Sequence, residues 1–159
     1  MRDKRFVAEH RGGALKKELH CLLMQWTCEC AEHVLPLYGE KTDERLINAL
    51  RVAQAWKQGE RSVGEARQAS LDAIAVANES SSPAAIAVAR SVGHAVATAH
   101  MADHSLEAAV YALKAVKASG NSVDAEREWQ NQQLPSEILE LVLSSMGMKE
   151  QAFKDLRVE

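Results

Sequence analysis

The sequence predicts an all-α fold: a compact array of about six to seven helices around a buried, alanine-rich central helix. Three observations predict it. Apolar residues recur at helical spacing along most of the chain, and no run alternates with period two. Only three prolines and eight glycines interrupt that pattern. Serine, aspartate, proline and glycine stand where helices would start and stop. The 159 residues suffice for one domain with its own core. Short connections make successive helices antiparallel neighbours, and the absence of a repeat at fixed period argues against a solenoid.

Residues 1–13 read as an irregular N-terminal arm ending in Arg11-Gly12-Gly13, and 14–146 as a single helical domain. The first helix is expected over 14–34, where Leu15, Leu19, Leu22 and Trp26 fall on one face; Pro36 and Gly39 end it. Asp43 caps a second over 44–58, with Leu46, Ile47, Leu50 and Ala53 as its stripe and Gly59 as its stop. Ser62 and Glu65 have the spacing of a capping box. The third helix, 63–78, carries the small stripe Ala66, Ala69, Ala73 and Ala77, which lets helix axes approach closely. Ser82-Pro83 starts the central helix, expected over 83–101. Asp103 is the expected cap of the next, 104–118, closed by Gly120. Ser122 caps a more polar helix reaching 132, and Pro135 opens the last, with Ile138, Leu139, Val142 and Leu143. From Gly147, the charged C-terminal tail 147–159 is expected to be loosely ordered.

Composition narrows the function. The net charge of -3 argues against general affinity for nucleic acid, which needs clustered positive charge. The first residues are locally basic, with Arg2, Lys4, Arg5, Arg11, Lys16 and Lys17 facing Asp3, Glu9 and Glu18. That is a solvated edge or, with Arg5, His10 and Arg11, a partner-facing arm. Cys21, Cys28 and Cys30 are odd in number and closely spaced, which suits free thiols in a reducing cytoplasm better than a disulfide framework. Cys28 and Cys30 would lie about 200° apart around a helix, too divergent to grip one metal ion. The first fifteen residues lack the apolar stretch of a signal peptide. The stretch 83–102 holds only Arg90 as a full charge, yet its alanines and internal polar groups read as a buried helix, not a membrane span.

The segment 91–104 carries the chemistry. It sets His94, His100, His104, Asp103 and Thr98 among alanines and valines. His100 and His104 have the i, i+4 spacing that presents two metal ligands on one helix face, with Asp103 a third. His94 would lie about 15 Å from His104 along a continuous helix, too far to share an ion with it. Met101 stands where the zinc-protease pattern requires glutamate. The favoured reading of these five residues is a structural polar network between packed helices, or a recognition surface, with no metal or other cofactor. His20 and Cys21, adjacent on a helix, diverge by about 100° and do not form a catalytic dyad. Trp26, Trp56 and Trp129 fit as core or interface anchors, and 4% aromatic content leaves little for a base-stacking surface.

Several stretches resemble the Imm-5-like group of bacterial immunity proteins: residues 2–13, 30–37, 63–67, 93–104 and 111–115. Val63-Gly-Glu-Ala-Arg67 and Gly93-His-Ala-Val-Ala-Thr-Ala-His-Met-Ala-Asp-His104 are the most specific. The resemblance implies a cytoplasmic, non-catalytic helical protein of a polymorphic toxin system, which binds a cognate protein toxin and blocks it. It brings no toxin identity and no site residue. Two alternatives stay open: a metal-dependent helical enzyme using His100, Asp103 and His104, and a helical scaffold or adaptor, with room for a homo-oligomer.

Overall fold

A computed structural model of the chain describes residues 3–152, with side chains through 150. Arg2 of the basic arm and residues 153–159 lie outside the described residues. Seven α-helices and no strand are present among the described residues: α1 (Lys17–Val34), α2 (Glu44–Lys57), α3 (Val63–Glu79), α4 (Pro83–Ala97), α5 (His104–Ala118), α6 (Val123–Gln132) and α7 (Ser136–Ala152). The expected all-α array is what the chain forms.

The start signals work as the sequence implies. Asp43 accepts from the Arg45 amide, and Ser62 and Glu65 form a reciprocal capping box. Ser82 and Ser122 cap α4 and α6 through the Ala85 and Ala125 amides. The alanine stripe of α3 is fully buried, so its axis comes close to α4. There the Ser70 hydroxyl donates to the Gly93 carbonyl at 2.9 Å. A Cβ on Gly93 would stand 2.7 Å from Ile74 Cδ1. α4 is the central helix: it packs most extensively on α5 and α3 and also meets α1 and α2. The buried Ser91 hydroxyl donates to the Ala108 carbonyl of α5 at 2.7 Å. These hydroxyls find backbone carbonyl partners across the helix contacts, so small polar residues serve as core.

The core has two parts. One lies among α1 to α5 and includes Met24, Leu46, Trp56, Val88 and Val92. The other joins Phe6 of the arm and Leu15 to α1, α5 and α7 through Leu23, Trp26, Leu113 and Ile138. Trp26 donates its indole N–H to the Gln130 carbonyl at 2.9 Å, which ties α1 to α6.

Three boundaries and one cap differ from expectation. α1 starts at Lys17 rather than near residue 14, because Leu15 pairs with the arm: its amide donates to Val7 O at 2.9 Å and its carbonyl accepts from the Glu9 amide at 3.0 Å. The arm is thus folded, with 3₁₀ turns at Lys4–Phe6 and Glu9–Arg11. α4 ends at Ala97, not 101, because the amides of Thr98, Ala99 and His100 each bond back three residues and tighten the chain. Asp103 precedes α5 but does not cap it: its backbone is already helical (φ −69°, ψ −14°), and a capping side chain needs an extended one. α7 runs through Gly147 to Ala152 where a loose tail was expected. Lys149 pairs with Glu107 of α5, and Arg127 of α6 pairs with Glu150, so the polar end of α7 is held by charge.

Candidate functional site

The break after Ala97 decides the site. A continuous helix would keep His94 and His104 far apart. Instead residues 98–103 reverse the chain, α5 folds back along α4, and the two rings meet. His94 Nδ1 lies 3.0 Å from His104 Nδ1 and 3.1 Å from Glu107 Oε2; His104 Nδ1 is 3.5 Å from the same oxygen. The expected separation of His94 from His104 is therefore overturned, because it assumed one unbroken helix. For the same reason His100 and His104 do not share an i, i+4 helix face. Their rings lie 5.5 Å apart, His100 in the turn and His104 at the start of α5. Among the described residues the set that converges is His94, His104 and Glu107, not His100, Asp103 and His104.

Two of the three are held from outside. Tyr111 stacks on His94 with ring centroids 5.1 Å apart. Lys149 Nζ lies 3.3 Å from Glu107 Oε1 and turns the other carboxylate oxygen toward the histidines. Burial pulls His94 down to about 4. The hydrogen bond from His104, with the nearby positive groups, pulls Glu107 down to about 2 against the opposing effect of burial. At neutral pH the carboxylate is charged and His94 is neutral, so the two do not form an ion pair there. The three side chains are 20–23% exposed, so solvent reaches them.

Thr98 is fully buried and acts on backbone: its hydroxyl donates to the His94 carbonyl at 3.3 Å. Its own carbonyl accepts from His20 Nε2 at 2.6 Å. His20 is buried against Trp56 and thereby fastens the end of α4 to α1. Burial holds His20 below the ordinary histidine value. Neither His20 nor Glu107 stood out in the sequence. Glu107 had a local signal, a carboxylate three residues after His104 in the first turn of a helix; His20 had none beyond its place on an apolar face.

The arm separates its candidates. Arg5 binds Asp3 at 2.7 Å and the Ser144 and Ser145 hydroxyls of α7 at 3.1 and 3.2 Å, so it staples the arm down. His10 and Arg11 are exposed and line a cleft of about 280 Å³ with Lys17, Trp56, Val63 and His100. Lys17 Nζ sits 3.9 Å over the Trp56 ring at its wall. The arm and the α4–α5 turn, separate candidates in sequence, thus share one cleft. The cysteines are free. Burial pushes Cys28 up to about 12 and Cys30 well above the ordinary thiol value, so neither supplies a thiolate. No helix among the described residues is long and apolar enough to cross a membrane.

A family model described as "Imm-5 like putative immunity protein" matches residues 13–137. No curated protein and no solved structure matches the chain. The match leaves out the arm before Gly13 and most of α7, and takes in α1 to α6 with the whole α4–α5 junction. Over that span the chain belongs to the Imm-5-like immunity protein family.

Proposed function

We propose that this protein protects its producer by binding a cognate toxin one-to-one in the cytoplasm and occluding it, without catalysis. Membership of an immunity-protein family over residues 13–137 is the observation that carries this reading. The cleft between the arm and the α4–α5 turn is the proposed contact face. It offers His10, Arg11 and Lys17, which outnumber Glu9 on its rim, beside the apolar surface of Val63, a combination suited to a carboxylate-bearing segment of a partner. Backbone bonds between Leu15 and both Val7 and Glu9 hold its arm wall in place, which keeps the ordering cost of binding low.

The test is co-expression with the toxin encoded beside it, joined to a pull-down from the same cells. Rescue of growth and a stoichiometric complex are expected. Replacing His10 and Arg11 together by Ala should weaken the complex at least tenfold, as expected for exposed groups that touch a partner. Absence of both rescue and complex with every neighbouring toxin refutes the function. Full rescue by the double variant at unchanged affinity refutes the contact face alone.

A further inference from the structure

We propose that His94, His104 and Glu107 form a binding site for one divalent transition-metal ion of the zinc type. The two Nδ1 atoms and Glu107 Oε2 make a triangle with edges of 3.0, 3.1 and 3.5 Å. In tetrahedral zinc with ligands about 2.05 Å away, neighbouring ligand atoms stand about 3.3 Å apart. The three atoms already have nearly that spacing. An ion about 2.05 Å from all three would sit about 0.9 Å out of their plane, leaving a fourth position for water.

The donor chemistry agrees with the geometry. Two imidazoles and one carboxylate suit zinc, iron, cobalt or nickel better than calcium or magnesium, which take oxygen ligands. The supports around a metal ligand are also in place: Tyr111 fixes the His94 ring and Lys149 holds the outer oxygen of Glu107. Partial exposure gives an ion a way in. Without an ion, the lone pairs of these three atoms can be reconciled only by shared protons, so the metal and the proton compete for one place. The site joins α4 to α5 across the turn that neither helix would hold alone, so an occupying ion would cross-link the junction.

The experiment uses the full chain without an affinity tag of histidines, stripped with chelator and titrated with Zn²⁺ and with Co²⁺. One equivalent should bind, the melting temperature should rise with added metal, and Co²⁺ should give the intense visible bands of a four-coordinate nitrogen–oxygen site. Glu107→Gln and His104→Gln, each shown to be folded by circular dichroism, should bind at least tenfold more weakly. His10→Ala should bind unchanged. Less than about 0.2 equivalents bound to the unaltered chain overturns the proposal. So does unchanged affinity in both Gln variants, or a thiolate charge-transfer band from Co²⁺, which would put the ion on the cysteines. The spectrum of the unaltered chain decides the matter even if a variant fails to fold.

Discussion

Adding one methyl group at three glycines should have three different consequences, set by what that methyl meets. At Gly13 a Cβ would stand 2.0 Å from the Val7 carbonyl oxygen and 2.5 Å from its carbon. Both are backbone atoms, and no rotamer moves them. Relief requires the Val7 carbonyl to retreat by more than about 1 Å from the contact, since non-bonded atoms sit at about 3.5 Å. That carbonyl accepts from the Leu15 amide at 2.9 Å, while Gly13 itself donates to Ala8 O at 3.1 Å and Ala14 to Lys4 O at 3.1 Å. Losing one or two such bonds costs about 0.5–1.5 kcal/mol each. Loosening Phe6, which is 2% exposed, costs up to about 1.5–3 kcal/mol more. Gly13→Ala should therefore destabilise by about 3 kcal/mol, a fall in melting temperature of about 6–12 °C for a chain of this size.

Gly12, one residue earlier, has φ +86° and open space around it. Gly12→Ala therefore incurs only the left-handed backbone penalty, about 1 kcal/mol. At Gly93 the obstruction is the tip of the half-buried Ile74 side chain, which can turn aside. The gain of about 1 kcal/mol from alanine in a helix interior offsets that shift, so Gly93→Ala should fall within about 1 kcal/mol of the parent. Thermal and urea unfolding give the order, and trypsin cleavage after Arg5 and Arg11 reports release of the arm. The reasoning fails if Gly13→Ala melts within about 1 °C of the parent, or if Gly93→Ala is the more damaging change. Release of the arm also dismantles one wall of the proposed toxin-binding cleft, so Gly13→Ala should lose rescue while retaining helical circular dichroism.

Three further outcomes are expected. Acid should weaken the fold through His20. Its folded-state value lies below the unfolded one of about 6.5, so the stability it contributes is complete above that pH and is lost as pH falls toward the folded value. His20→Gln, which keeps a donor for Thr98 O, should flatten the fall in urea midpoint between about pH 7.5 and 5.5; an unchanged slope would clear His20 of the role. Trp26→Phe should cost about 2 kcal/mol in urea unfolding, from the lost bond to Gln130 and the void beside it, and a cost under about 0.5 kcal/mol would contradict the packing described. A thiol reagent should modify Cys21 quickly and leave Cys28 and Cys30 untouched until the chain unfolds; three fast thiols would mean that the α1 core is open.

The fold was largely legible because its signals are local. Ser62 with Glu65, Ser82 with Pro83, and Asp43 each act within one turn, and the sequence places them on the residues that use them. The alanine stripe of α3 announces a close helix contact without naming the partner. What misled was polar spacing inside an apolar run. The pattern from 83 to 101 continues helically in composition, but its last turn is drawn tight by three-residue bonds and by His20 of α1. No residue between 97 and 103 is glycine or proline, so nothing local marks the break. Gly147 misled in the opposite sense, since the ion pairs that carry α7 past it reach from α5 and α6.

The same hidden break explains why His94 and His104 were singled out in the sequence yet kept apart. Histidines counted along one helix gave His100 and His104 as the pair and placed His94 beyond reach. Once the chain reverses, distance along the sequence ceases to matter and position relative to the turn decides. His94 lies four residues before Thr98 and Glu107 four residues after Asp103, so the two helices present them near their facing ends. This makes the site a property of the junction rather than of either helix. A substitution that straightened the turn would leave every ligand residue in place and still abolish the cluster. The cheapest probe is the junction's own fastening, His20 to Thr98 O at 2.6 Å. His20→Ala removes a buried donor about 1–3 kcal/mol in worth and touches none of His94, His104 or Glu107. If the junction builds the metal site, this variant weakens Co²⁺ binding although all three ligands remain. Parent-like Co²⁺ affinity in a measurably destabilised His20→Ala chain would show that α4 and α5 hold the ligands by themselves.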